Sequence, residues 1–150
     1  MKIGSRRHQE GSETVEFAIS ATLLFLLLFG IIEFSVALFD KATLTNASRE
    51  GARTGILFRP APRDTTVGGA EDAAIEQAVR DYAEQYLISL GGEPPDGMEV
   101  SISRSDASMS PGSSVTVTVD YAYQFLLLPG FVAGLGDFID LSATTVMRAE

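Results

Sequence analysis

The sequence predicts an α+β chain: one long N-terminal helix that crosses a membrane and continues beyond it, a second amphipathic helix, and a three-stranded antiparallel sheet. Three observations predict it. An apolar run of 23 residues, Phe17 to Phe39, follows a short basic leader. A stripe at helical period runs from Glu71 to Leu90. From Met98 onward, apolar residues recur at every second position, as strands require.

The apolar run is long enough to span a bilayer, which takes about 20 residues at 1.5 Å each. Glu33 is its one charge, and Ser20, Thr22 and Ser35 are its polar residues. Lys2, Arg6 and Arg7 precede it. Basic residues on that side put the N-terminus in the cytoplasm and everything after about Asp40 outside. Two other readings of the segment stay open on the residues alone. One is an uncleaved signal anchor. The other is a secretory signal cut after Ala37, since Ser35-Val36-Ala37 has small residues in the right places. Against the second, the run exceeds the roughly 7–15 residues of a signal core.

Charge and composition narrow the function. The net charge is −9; residues 1–11 carry +2, so the remainder carries −11. Such a domain does not bind nucleic acid or anionic headgroups by charge. There is no cysteine, hence no disulfide framework or thiolate metal site. The one histidine, His8, lies in the leader, so the rest of the chain lacks the Ser/His and Cys/His nucleophile arrangements and the usual zinc ligands. No paired Asp/Glu motif stands out. The residues predict no enzyme, no cofactor and no metal.

Two acids flank the membrane segment. Glu16 is the last polar residue before the apolar run. Glu33 lies 17 residues farther on, about 25 Å along a helix and near the outer interface. Its carboxylate either reaches water there or meets another subunit.

Beyond Asp40 the helix is expected to continue to about Phe58. Ala47, Gly51 and Gly55 lie at i, i+4 and i+8 and form a stripe of small residues. Such a stripe lets another backbone come close, whether a second helix or the domain's own sheet. Two glycines inside a helix cost about 1 kcal/mol each against alanine, which argues for a packing reason. Arg49, Glu50 and Arg53 read as a solvated face. Asn46-Ala47-Ser48 has the glycosylation-acceptor pattern, a weak three-residue signal.

Arg59 to Gly69, with Pro60, Pro62, Gly68 and Gly69, reads as a loop. In the helix of Glu71 to Leu90, Ile75, Ala78, Val79, Tyr82, Tyr86 and Leu90 share one face, and Glu76, Arg80, Asp81 and Glu84 the other. Glu71 and Asp72 suit the positive helix start, and Gly91 the stop. Gly92 to Gly97 is a turn. Met98, Val100 and Ile102 alternate with polar residues, as do Val115 to Tyr123 and Ile139 to Met147, with Asp106 to Ser113 as a hairpin loop. Three half-buried strands in sequence predict an antiparallel meander with one face covered by helix. The stretch 125–135 is apolar for a loop. It either packs under the sheet, the favoured reading, or touches a partner or the outer leaflet.

Several of these residues resemble a known family. Gly11-Ser12-Glu13-Thr14-Val15-Glu16-Phe17 resembles the processing site of Flp-type prepilins and pseudopilins, where a peptidase cuts after glycine. Phe29 to Phe34 and Ala47 to Arg53 are similar to TadE-like proteins of the tight adherence pilus machinery, and Leu141 to Glu150 is similar in style to that family's last strand. The resemblance implies a pilin-like α+β fold in three parts: a cytoplasmic leader 1–11, a transmembrane and extended helix 12–58, and an extracytoplasmic domain 59–150. It implies a minor pseudopilin for assembly of a type IVb/Flp adherence pilus. The major pilin pattern is far shorter and lacks an external domain.

By the same resemblance, Gly11 and Ser12 flank the cut, Glu16 and Phe17 serve recognition and assembly, and Glu33 joins the assembly set. Arg49, Glu50 and Arg53 join Ala47, Gly51 and Gly55 in packing against the domain. After such a cut the Ser12 amine stands about one turn from Glu16, in its own chain or facing a neighbouring one; spacing does not choose. The implied partners are a prepilin peptidase, other pilin and pseudopilin subunits, the inner-membrane assembly platform and the lipid membrane, with no nucleic acid. The implied location is the cytoplasmic membrane, single-pass, with the C-terminal domain outside. The alternative from the residues is an uncleaved, membrane-anchored binding or scaffold module.

Overall fold

The computed structural model describes residues 7–57, 64–88, 97–125 and 138–149. Expectations for the leader residues 1–6, the loop 58–63, the turn 89–96 with its Gly91 stop, and the apolar stretch from 126 to 135 lie outside them.

One helix, α1 (Arg7–Ile56), carries both the membrane-length run and its extension. A second, α2 (Ala70–Tyr86), follows. Three strands complete the fold: β1 (Met98–Arg104), β2 (Ser114–Gln124) and β3 (Phe138–Arg148). They form one antiparallel sheet in the order β1-β2-β3. This is the α+β architecture expected of a pilin-like chain.

The alternation in β2 decides which sheet face is covered. Val115, Val117, Val119, Tyr121 and Tyr123 are buried, and the residues between them are half-exposed. The C-terminal part of α1, together with α2, lies on the buried face. Gly55 faces Val115, Gly51 faces Val117, and Glu33 reaches Tyr123, so α1 runs along β2 in the opposite direction. Ser48 and Thr145 share a hydroxyl–hydroxyl hydrogen bond of 2.7 Å that ties α1 to β3.

α2 returns toward the membrane-length half of α1. Ile75 lies beside Gly55, Val79 beside Gly51, and the Ile88 N–H reaches Asp40. The helix is shorter than its sequence stripe because the backbone turns extended at Leu87, whose N–H still donates to Ala83 O. The register also corrects the expected face. Ile75, Val79, Ala83 and Leu87 are the buried apolar residues, whereas Tyr86 is exposed and packs against half-buried Tyr82 with the rings tilted by 42° and 4.7 Å between centroids. The strictly i, i+4 row rotates slowly around the helix, and here that row meets α1.

Asp64 organises the start of α2, a role its sequence context did not reveal. Its carboxylate accepts from the Ala70 N–H and the Thr66 hydroxyl, and these bonds hold its pKa below the ordinary value. Asp72 sits in the first helical turn as expected, but buried, paired with Arg104 of β1 at 2.5 Å.

Candidate functional site

Two different helices meet in α1. From Ser12 to Ile32 its side chains are almost all exposed, including Phe17, Ile19, Leu23, Leu24, Phe25 and Ile31. From Glu33 onward one face is covered by the domain. Glu33, Asp40, Leu44, Ala47, Ser48, Gly51, Ala52 and Gly55 are all buried. Among the described residues this is the one helix long and apolar enough to cross a membrane. A row of bulky apolar side chains left open to water would be unstable, and the N-terminal half of α1 is compatible with a single-pass membrane anchor.

Two hydroxyls of the apolar run are satisfied locally. The Thr22 hydroxyl donates to Ala18 O at 2.8 Å and the Ser35 hydroxyl to Ile31 O at 2.7 Å. Each thus returns its proton to a carbonyl one turn back, as an apolar solvent demands.

Gly11, Ser12, Glu16 and Phe17 all lie within α1 and are exposed, with Phe17 73% accessible. Ser12 and Glu16 are four residues apart and share a face. A Cβ added at Gly11 would meet nothing within 4 Å, so the chain's own packing does not call for glycine there.

The small-residue stripe is a close contact. A Cβ at Gly51 would stand 2.5 Å from Val79 Cγ2, and one at Gly55 2.9 Å from Ile75 Cδ1 and 3.1 Å from Val115 Cγ1. Here α1 meets both α2 and the sheet. Arg49, Glu50 and Arg53 are corrected by the same geometry. The resemblance implied contact with the domain, whereas the residues themselves read as a solvated face, and they are exposed on the opposite side of the helix. Among the described residues, Arg49 donates to its neighbour Asn46, at 3.4 Å. The acceptor pattern at Asn46 to Ser48 is likewise split, with Asn46 exposed and Ser48 wholly buried.

For Glu33 the expected reach to water is corrected: it is 3% exposed and accepts a 2.5 Å hydrogen bond from the Tyr123 hydroxyl of its own chain. The end of β2 descends far enough along α1 to cover it. Burial, followed by the bond to Glu33, raises the pKa of Tyr123, so the phenol stays a donor. Two turns on, Asp40 is wholly buried and accepts from the Ile88 N–H at 3.0 Å. Desolvation raises its pKa above the ordinary 3.8, and the Ile88 bond opposes that in part. Sequence reasoning overlooked Asp40 and Tyr123. The signal was present: Glu33, Asp40, Leu44, Ala47, Gly51 and Gly55 continue one helical stripe, and Tyr123 belongs to the alternating face of β2.

Residues 11–53 match the family model of TadE-like proteins. The match begins at the glycine of the exposed N-terminal turns, takes in the whole open apolar run, and ends in the last turns of α1. No curated protein and no solved structure matches the chain.

Proposed function

We propose that the chain is a minor pilin-like subunit, a pseudopilin, that serves assembly of a type IVb/Flp adherence pilus. In this reading it is a structural component held by a single pass in the cytoplasmic membrane, with its N-terminus in the cytoplasm and its α+β domain outside. A prepilin peptidase removes residues 1–11 by cutting after Gly11. The observation that carries the proposal is the coincidence of the TadE-like match with the exposed apolar run of α1.

The residues supply a role for each part. Gly11 is small and uncrowded, which suits a protease site better than a packing site. Cleavage leaves a cationic amine on Ser12 one turn from Glu16, and pairing the two offsets the cost of a carboxylate at the membrane edge. The exposed run from Phe17 to Ile32 then packs against other subunits of the pilus machinery, while the domain stays docked on its own helix through Gly51 and Gly55.

The test is a Glu16→Ala strain in which processing and surface pili are followed together. The proposal expects cleaved protein and loss of pili. Normal pili would remove Glu16 from the assembly mechanism.

A further inference from the structure

The depth at which the domain joins α1 fixes where the domain sits relative to a bilayer. Covered residues begin at Glu33. Between Glu16, at the inner edge of the apolar run, and Glu33 there is about 25 Å of helix, while a hydrocarbon core is about 30 Å thick. With Glu16 at the cytoplasmic boundary, Glu33 lies about 5 Å inside the outer edge of the core, and any tilt of the helix carries it deeper.

A carboxylate at that depth is costly unless a donor shields it. The Tyr123 hydroxyl is that donor. Tyr123 comes from the domain, so the domain reaches to the same depth. Phe125 lies two residues farther toward the membrane on the same strand face, and its ring meets Tyr123 edge-on at 6.3 Å. Ile139, paired with Tyr123 across the sheet, is 45% exposed. Around them Phe34, Leu38 and Ile88 are exposed as well. A domain standing clear of the membrane would present this apolar rim to water.

We propose that this rim is a lipid-binding surface: the base of the outer domain is sunk into the outer leaflet, and acyl chains cover Phe34, Leu38, Phe125 and Ile139. The Glu33–Tyr123 bond is then a seal formed within the membrane edge, holding the domain at a fixed height on its anchor. The proposal rests on the reading that α1 spans a bilayer, and its test separates the two.

The chain has no cysteine, so single cysteines can carry a spin label without removing any native one. Full-length protein is placed in vesicles of phosphatidylethanolamine and phosphatidylglycerol. Collisions of the label with oxygen, which concentrates in lipid, are compared with those of a water-soluble nickel chelate. Leu26→Cys reports the anchor, Phe34→Cys and Ile139→Cys the rim, and Val146→Cys the far end of β3. The expected result is loss of nickel access at Leu26, Phe34 and Ile139, with Val146 open to it. Nickel access at Ile139 equal to that at Val146, with Leu26 still shielded, would overturn the immersed base and leave the anchor standing. Nickel access at Leu26 would overturn the membrane-spanning reading and the immersed base with it. Phe34 lies on the helix itself, so its depth does not depend on how the domain tolerates a label.

Discussion

Tyr123 and Glu33, ninety residues apart in sequence, are joined by a 2.5 Å hydrogen bond that closes the lower end of the domain against its own anchor helix. The bond divides α1 into a free apolar half and a docked half. Among the described residues, side chains from Ser12 to Ile32 are almost all exposed, and from Glu33 outward one face is committed to the chain's own fold.

Removing that donor has a defined effect. Tyr123→Phe deletes one oxygen and leaves Glu33 buried without the phenol. A hydrogen bond to a buried charged acceptor is worth about 1.5–3 kcal/mol, and that contribution is lost. The expected outcome in detergent or vesicles is a lower melting temperature for the domain, with the sheet intact by circular dichroism. Glu33→Gln, which keeps an acceptor, is expected to lose less. Equal stability of Tyr123→Phe and the parent chain would show that the bond does not hold the domain down.

Gly51 is expected to resist any side chain. Alanine would gain about 1 kcal/mol of helix propensity. Its methyl would stand 2.5 Å from Val79 Cγ2, on a β-branched side chain that turns little about χ1. Overpacking of this kind costs about 1–3 kcal/mol, so the net expected change in Gly51→Ala is a loss of stability. Gly30→Ala is the control, because a Cβ there meets nothing within 4 Å. Thermal unfolding of the two variants should separate them, with only Gly51→Ala unfolding earlier. Identical unfolding would mean that α2 moves aside freely.

Asp40 makes docking pH-dependent, with a sign opposite to that of most carboxylates. Its folded pKa is raised above 3.8 by burial, so the fold favours the protonated acid. The stability it contributes is full below the unfolded value and is lost as pH rises through the folded one. Tyr121, whose own pKa is raised by burial and then by Asp40, faces it from the sheet. The chain is therefore expected to unfold more easily as pH climbs from about 4, whereas Asp40→Asn keeps the Ile88 hydrogen bond and shows no such slope. Asp64 and Asp106, whose pKa values are lowered by their hydrogen bonds, act only below 3.8 and leave that window clear. A parent chain whose stability stays flat over the window would contradict the effect of Asp40 burial.

The architecture was legible because each element announces itself by period: a 23-residue apolar run, an i, i+4 stripe and three alternating strands. The small-residue stripe could be read for the same reason, since glycine inside a helix needs a cause. What stayed hidden was long-range. Nothing local to Glu33 says that Tyr123 will reach it, and nothing local to Asp40 says that an Ile88 N–H will. For Arg49, Glu50 and Arg53 the period is a better guide than the resemblance, for their positions put them opposite Ala47 and Gly51, on the solvated face. Tyr86 was misplaced because the row that α1 covers, Ile75, Val79, Ala83 and Leu87, advances strictly by i+4 and drifts by about 40° a step away from the face that Tyr86 shares with Ile75.

The account's central claim, that this is a processed pilin-like subunit, is tested most directly by the N-terminal mass of the protein recovered from membranes. The account predicts a chain that begins at Ser12. A chain that begins at Met1 would contradict it, leaving an uncleaved anchor that carries a binding or scaffold domain.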